Sequence, residues 1–185
     1  MHRNKIVAGV IALFVVLVSS AIVYTYLRPP LRFGITTGGH KGEVGEQLSI
    51  GWELINGGWF DARIEKVRWE AYPGQPASVL WVAGAVGSWR SVGSSMSVNP
   101  VDDGYLLIPL GEFVIPPQRR LPNPEVTSDS ITFRRPRYYG LVARYLFTES
   151  GVSPMGKLTI KYTYMGLPLT LQGEFAPVEL PGETG

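Results

Sequence analysis

The sequence contains no cysteine and only two histidines among its 185 residues. The absence of cysteine excludes disulfide bonds, thiolate metal sites, a cysteine nucleophile and a lipidated cysteine. Histidine is the most frequent general base in enzymes, but His2 precedes a long apolar segment, so only His40 is left for the rest of the chain. Metal sites built from histidine clusters are therefore excluded for lack of ligands.

Charge is also scarce, since Asp, Glu, Lys and Arg make up 17% of the residues. The formal net charge is +2, and Arg3 and Lys5 account for it. Because these are two of the 17 basic residues, the chain from Arg28 onward carries 15 basic and 15 acidic residues. Nucleic-acid binding depends on neutralising phosphates, and a neutral region offers no bulk attraction for them. We therefore expect no nucleic-acid partner.

The apolar segment from Ile6 to Leu27 contains 22 residues without a charge, a proline or an amide side chain. At about 1.5 Å per residue, a helix of this length crosses a hydrocarbon core of about 30 Å. Tyr24 and Tyr26 next to Arg28 are typical of an interfacial helix end, and Pro29-Pro30 stops the helix. The sequence thus predicts a positive tail (1–5), a transmembrane helix in contact with lipid (6–27) and a proline linker (28–30).

A cleaved signal peptide is the alternative for this segment, with Ile6–Val18 as its apolar core and Ser19-Ser20-Ala21 as the cleavage site. The apolar run continues past these small residues, which favours an uncleaved signal anchor. Arg3 and Lys5 favour a cytoplasmic N-terminus. We therefore expect a single-pass protein of the cell membrane with its following domain outside the cytoplasm.

Residues 31–176 show short apolar-alternating runs separated by turn residues, as expected for strands. Leu48, Ile50, Trp52 and Leu54 share one face of a strand, and Ser49, Gly51 and Glu53 share the other. A break in alternation near Glu65-Lys66 predicts a β-bulge. Met165-Gly166 separates two alternating runs and predicts a terminal hairpin. About eight or nine such strands indicate an all-β, antiparallel β-sandwich, followed by a flexible tail at 177–185.

One short stretch resembles a known family. Leu54-Ile55-Asn56-Gly57-Gly58, followed by a second strand at 62–64, is similar to the hydrophobic-Asn-x-Gly corner of immunoglobulin-like domains in membrane-anchored bacterial surface proteins. The chain differs from antibody-type domains because it lacks both core cysteines. The resemblance implies an immunoglobulin-like sandwich and assigns no functional residue.

The motif candidates for chemistry are weak. The glycine-rich stretch 34–41 has His40 where a phosphate-binding loop requires lysine. Asp102-Asp103-Gly104 lacks the alternating acidic spacing of a calcium loop and is interpreted as a turn. We therefore predict no catalytic residue, metal site or cofactor. A hydrolase remains an alternative only if His40 lies near a serine and an acid.

Two surface features suggest binding instead. Trp59 and Phe60 follow the glycine turn, and of the five tryptophans Trp59 is the one expected to be exposed, together with Phe60. Exposed rings of this kind could contact a glycan. Five arginines could contact an anion or a partner: Arg119, Arg120, Arg134, Arg135 and Arg137. We predict an interaction module with a protein partner, an accessory subunit of an envelope assembly. The alternative is a domain that binds a glycan or a cell-wall polymer.

Overall fold

The computed structural model describes residues 2–36, 40–87, 92, 95–96, 99–118, 138–153 and 156–175. The chain divides into two compact units, Met1–Pro30 and Leu31–Gly185. The first unit is helix α1, which runs from His2 to Leu27. Within it, Gly9–Leu27 is long and apolar enough to cross a membrane, and it is the one such helix in the described part of the chain. An N-terminal helix of this kind serves as a membrane anchor or as a signal sequence.

Helix α1 satisfies its polar groups internally near its C-terminal end. The Thr25 hydroxyl donates to the Ala21 carbonyl at 2.9 Å, which removes the need for water at that side chain. The Arg28 amide donates to the Tyr24 carbonyl at 2.9 Å, and the Arg28 guanidinium lies 5.9 Å from the centre of the Tyr24 ring. Pro29 and Pro30 follow directly, and the helix ends there because proline lacks an N–H donor.

The described residues of the second unit form strands and one short 3-10 helix. The strands are β1 Leu31–Thr36, β2 His40–Gly42, β3 Gln47–Asn56, β4 Ala62–Ala71, β5 Ala77–Gly87, β6 Ser95–Met96, β7 Tyr105–Ile108, β8 Val114–Ile115, β9 Tyr138–Phe147, β10 Gly151–Ser153, β11 Gly156–Tyr164 and β12 Leu167–Phe175; the 3-10 helix is Leu110–Glu112.

All the strand pairs in the described part of the chain are antiparallel. The first sheet has the order β1-β3-β9-β5-β7, with β6 added beside β3. The second sheet has the order β12-β11-β4-β8, and β2 pairs with β10 separately. The predicted predominance of antiparallel strands after one N-terminal apolar helix is confirmed.

The core lies between the inner faces of the two large sheets. Ile50, Trp52 and Leu54 of β3 point into it, as their alternation predicts, together with Leu158 and Ile160 of β11. The Trp52 ring lies 5.4 Å from that of Trp69 across the two sheets. Burying large aromatic rings in this way contributes area and ring contacts together.

The outer face of the first sheet is covered as well. Ser49 and Glu53, which the sequence places on the polar face of β3, are 0% and 6% exposed. Val92 belongs to a second small apolar cluster on this side of the sheet. Gly140 of β9 leaves room for Val92, because a Cβ at Gly140 would lie 2.6 Å from a Val92 methyl. Polar residues of β3 are therefore buried although their alternation predicts an exposed face.

Local features of the second sheet follow the sequence closely. Tyr162 pairs with Ile64, whereas Lys161 pairs with Lys66, so Glu65 is the extra residue of a bulge. The Glu65 carboxylate accepts a hydrogen bond from Thr163. The predicted bulge is therefore confirmed.

The terminal hairpin is also confirmed. Tyr164 pairs with Leu167 across the two-residue turn Met165-Gly166. Both turn residues have positive φ, 53° and 76°, which matches a type I′ turn.

The turn at Asn56 is confirmed, whereas one strand boundary needs correction. This turn joins β3 to β4, and because these strands belong to different sheets it connects the two sheets. The sequence pattern also predicts a strand from Glu112 to Ile115, but strand β8 begins only at Val114. Before it, the Glu112 amide donates to the Pro109 carbonyl and the Phe113 amide donates to the Leu110 carbonyl, each at 3.0 Å, which forms the 3-10 turn.

Candidate functional site

The best-defined polar cluster surrounds Asn56, the last residue of β3, which is fully buried. Its Nδ2 donates to the carbonyls of Phe60 and Ile115, each at 2.8 Å, and its Oδ1 accepts from the Gly58 amide at 3.0 Å. This side chain closes the loop 57–61 and ties it to β8. We call residues 57–61 the aromatic loop.

Tyr164, the last residue of β11 in the second sheet, holds the aromatic loop by hydrogen bonds. Its hydroxyl accepts from the Trp59 amide at 2.9 Å and from the Phe60 amide at 3.4 Å. The Phe60 ring meets the Tyr164 ring edge-on at 6.1 Å. Gly58 is required for this approach, since a Cβ there would lie 2.4 Å from the Tyr164 hydroxyl oxygen. The loop backbone is thus held in one conformation.

The two aromatic side chains of the loop face solvent. Trp59 is 66% exposed and Phe60 is 54% exposed, which confirms the expected exposure of this pair. Met165, the residue after Tyr164, is 54% exposed. The buried Asn56 amide and the Tyr164 hydroxyl therefore hold the loop in a conformation that exposes its apolar side chains before any ligand binds. Such a surface can bury a sugar ring, a lipid or an apolar protein patch.

The five arginines predicted to contact an anion or a partner lie outside the described residues, at 119, 120, 134, 135 and 137. The described chain stops at Gln118, which follows β8, and resumes at Tyr138, the first residue of β9. Arginine-mediated binding therefore remains a prediction. The side chain of His40 is likewise outside the description; its backbone in β2 pairs with Ser153 of β10.

The structure adds a charged surface that the sequence interpretation did not single out. The outward face of β4 and β11 carries Lys66, Arg68, Lys157 and Lys161, which line a depression of about 250 Å³ with Glu70, Thr159 and Gln172. We call this surface the basic face. Arg68 Nε lies 3.0 Å from Glu70 Oε1, so one of its four cations is paired with an acid.

The register creates the basic face. Lys66 of β4 and Lys161 of β11 are directly opposite each other. Like charges in that position destabilise a sheet unless something neutralises them. Strand alternation alone predicts that each lysine is on a polar face. Only the pairing of strands nearly 100 residues apart shows that the two share a site, where an anionic group would be attracted.

The perturbed ionisable groups lie in the core rather than at a cleft. Burial raises the pKa of the Tyr145 phenol, and it raises the pKa of Tyr162 to about 12. Both phenols are therefore neutral at physiological pH. Among the residues that the structure describes, no three His, Asp or Glu side chains are grouped as metal ligands would be.

Comparison of the chain with protein-family models, with curated proteins and with solved structures found no match.

Proposed function

We propose that this chain is a single-pass, membrane-anchored binding module of the cell envelope, with an immunoglobulin-like sandwich outside the cytoplasm. Its role in this proposal is that of an accessory subunit that recognises a protein partner, and not that of an enzyme. Helix α1 supports the anchor, because its apolar side chains are exposed along the whole described segment. The two antiparallel sheets around one core support the sandwich.

The observation that carries the binding role is the free edge of β12. This strand is nine residues long and, among the described residues, pairs with β11 on one side only. An edge strand of this length offers backbone donors and acceptors to an extended segment of a partner. Strand addition at β12 is therefore the proposed mode of binding.

The hairpin register identifies which backbone groups are available. In a two-residue hairpin the residues that flank the turn exchange hydrogen bonds, and the pairs then alternate. Leu169 and Leu171 therefore direct their N–H and C=O groups to β11, whereas Thr170, Gln172 and Glu174 direct theirs to the free edge. Pro168 also faces the edge and has no N–H. The partner strand is expected along residues 170–174.

Proline at position 172 tests this mode directly. Gln172→Pro removes one outward N–H and no hydrogen bond to β11, and an edge strand accepts proline at such a position. The matched control, Gln172→Ala, removes the side chain and keeps the N–H. After photocrosslinking from residue 170 in native membranes, we expect capture of one partner by the Gln172→Ala protein and its loss in Gln172→Pro. Equal capture by both variants would refute strand addition.

The anchor has its own test. We expect the full-length protein to remain in the membrane fraction after alkaline carbonate extraction and to retain the sequence from Met1 onward. Release by carbonate, or a mature N-terminus at Ile22, would identify α1 as a cleaved signal sequence. Protease added to intact cells should digest the domain.

Binding of a glycan or wall polymer is the second candidate, and the exposure of Trp59 and Phe60 is the observation in its favour. It predicts that an oligosaccharide changes the fluorescence of the protein, and that Trp59→Phe abolishes the change.

A further inference from the structure

The position at which the chain enters the second unit links the aromatic loop to the anchor. Leu31, the first residue of β1, is directly opposite Asn56, which closes that loop. The turn Met165-Gly166 is at the same end, because Tyr164 is opposite Ala62. We call this end of the second unit the entry end. It carries Leu31, the aromatic loop and the Met165-Gly166 turn.

The covalent chain keeps the entry end near the membrane if α1 is an anchor. Three residues, 28–30, separate the last residue of α1 from β1. Even fully extended, they allow a separation of roughly 14 Å between Leu27 and Leu31. This limit follows from bond geometry alone and holds for any angle between helix and domain. Tyr24 and Tyr26 suit the interfacial level of the same helix end.

The entry end carries the aromatic side chains that are most exposed in the described part of the second unit. Among the described aromatic residues of the second unit, Trp59 and Phe60 are the ones that are more than half exposed. Met165, at the same end, is 54% exposed. The chain leaves β12 at Phe175, at the far end, where the exposed large apolar residues include Val44, Tyr72 and Val152. The two most exposed of these aromatic rings are thus at the entry end, whereas Tyr72, the exposed aromatic residue at the far end, is only 38% exposed.

We propose that Trp59, Phe60 and Met165 insert into the headgroup region of the bilayer that holds α1. Tryptophan is favoured at that depth because its ring is apolar and its N–H still reaches water or a headgroup. The bonds from Asn56 and Tyr164 order the loop beforehand, so insertion loses little conformational entropy. The anchor keeps the loop and the membrane together, which makes even a weak insertion effective.

The charge at the loop indicates which lipid is needed. Asp61 is exposed directly after Phe60, and it would be repelled by anionic lipid. Arg32 and Arg63 are also exposed at the entry end, so its charges are mixed. Insertion is therefore driven by burial of apolar surface and proceeds in zwitterionic lipid. This inference rests on the anchor proposed above, and it holds for either orientation of the protein, since the entry end follows α1 in both.

The lack of native cysteine makes a depth measurement straightforward. Full-length protein carrying Asp61→Cys is spin-labelled in phosphatidylcholine vesicles, and Glu149→Cys, exposed in the loop after β9 at the far end, is the control. Collision of the label with oxygen and with a water-soluble nickel complex is then compared. We expect the label at 61 to favour oxygen and the label at 149 to favour nickel.

A second pair of variants tests the side chains themselves. In the Asp61→Cys protein, Trp59→Ser with Phe60→Ser should move the label at least threefold towards nickel accessibility, whereas Val44→Ser at the far end should leave it unchanged. A label at 61 that is as accessible to nickel as the label at 149, in protein that floats with the vesicles, overturns the inference while the anchor stands. Protection of the label by an added oligosaccharide, but not by lipid, also overturns it. Protein that carbonate strips from the vesicles contradicts the anchor instead.

Discussion

The Tyr164 hydroxyl accepts the backbone N–H of Trp59 at 2.9 Å, although the two residues are 105 positions apart in the chain. The contact joins the second sheet to the loop that leaves the first. It therefore links the stability of the two sheets to the conformation of the loop that carries Trp59 and Phe60.

Tyr164→Phe removes this acceptor and keeps the ring that packs against Phe60. We expect the free energy of unfolding to fall by about 1 kcal/mol, because two loop amides lose their partner in the protein. Hydrogen exchange of the Trp59 amide should accelerate, which nuclear magnetic resonance can measure.

Tyr145→Phe is the matched control for that variant. Among the described residues, the Tyr145 hydroxyl is buried and has no hydrogen-bond partner. Removing it should leave stability unchanged or raise it by up to about 1 kcal/mol. Equal losses in the two variants would show that the Tyr164 hydroxyl has no special role in the loop.

Asn56→Ala should be more damaging, with a loss of about 3 kcal/mol in urea unfolding, because one buried amide makes three hydrogen bonds. Asn56→Asp keeps the acceptor for the Gly58 amide but turns a carboxylate oxygen towards the Phe60 and Ile115 carbonyls. We expect it to be no more stable than Asn56→Ala. An Asp variant as stable as the native protein would contradict the hydrogen-bond assignment of Asn56.

Lys161→Glu should stabilise the second sheet, since it replaces repulsion of Lys66 by attraction across the strand pair. The expected gain is about 0.5–1 kcal/mol at low salt. Lys161→Gln, which only removes the repulsion, should gain less, and 0.5 M salt should reduce both differences. If the native pair serves an anion, millimolar phosphate should raise the melting temperature of the native protein and not that of Lys161→Glu.

Stability should fall at alkaline pH. Burial raises the pKa of Tyr162 to about 12 in the folded protein, and it raises that of Tyr145 as well, whereas unfolded tyrosine titrates near 10. Above pH 10 the unfolded chain therefore releases protons that the folded chain retains. The free energy of the unfolded chain then falls relative to that of the native state, so the free energy of unfolding decreases by up to about 1.4 kcal/mol per pH unit for each tyrosine.

Urea unfolding between pH 8 and pH 11.5 measures this loss. Tyr162→Phe should flatten the dependence, whereas Tyr72→Phe, at an exposed position, should not. A titration by absorbance at 295 nm in which every tyrosine ionises near pH 10 without unfolding would contradict the burial of these phenols.

Periodic patterns in the sequence predicted local structure correctly where a residue's environment depends on its neighbours along the chain. The alternation in β3 located the core positions Ile50 and Trp52, the irregularity at Glu65 located the bulge, and Met165-Gly166 located the hairpin. The length and composition of Ile6–Leu27 predicted the apolar helix. Each of these depends on backbone geometry within a few residues.

Contacts between distant segments were not predictable in the same way. The sequence identified Trp59 and Phe60 as exposed, but not the Tyr164 hydroxyl that supports them, because no local rule pairs residues 105 positions apart. The same holds for Lys66 opposite Lys161 and for Val92 over the outer face of the first sheet.

The sequence by itself determined that this chain has one apolar helix followed by antiparallel strands without cysteine, because hydrophobic period and residue chemistry are local properties. Only the tertiary structure decided that Leu31 is beside Asn56, and hence that the aromatic loop shares the end of the second unit at which the chain enters. Strand order and register bring those residues together, and both result from packing two whole sheets around one core.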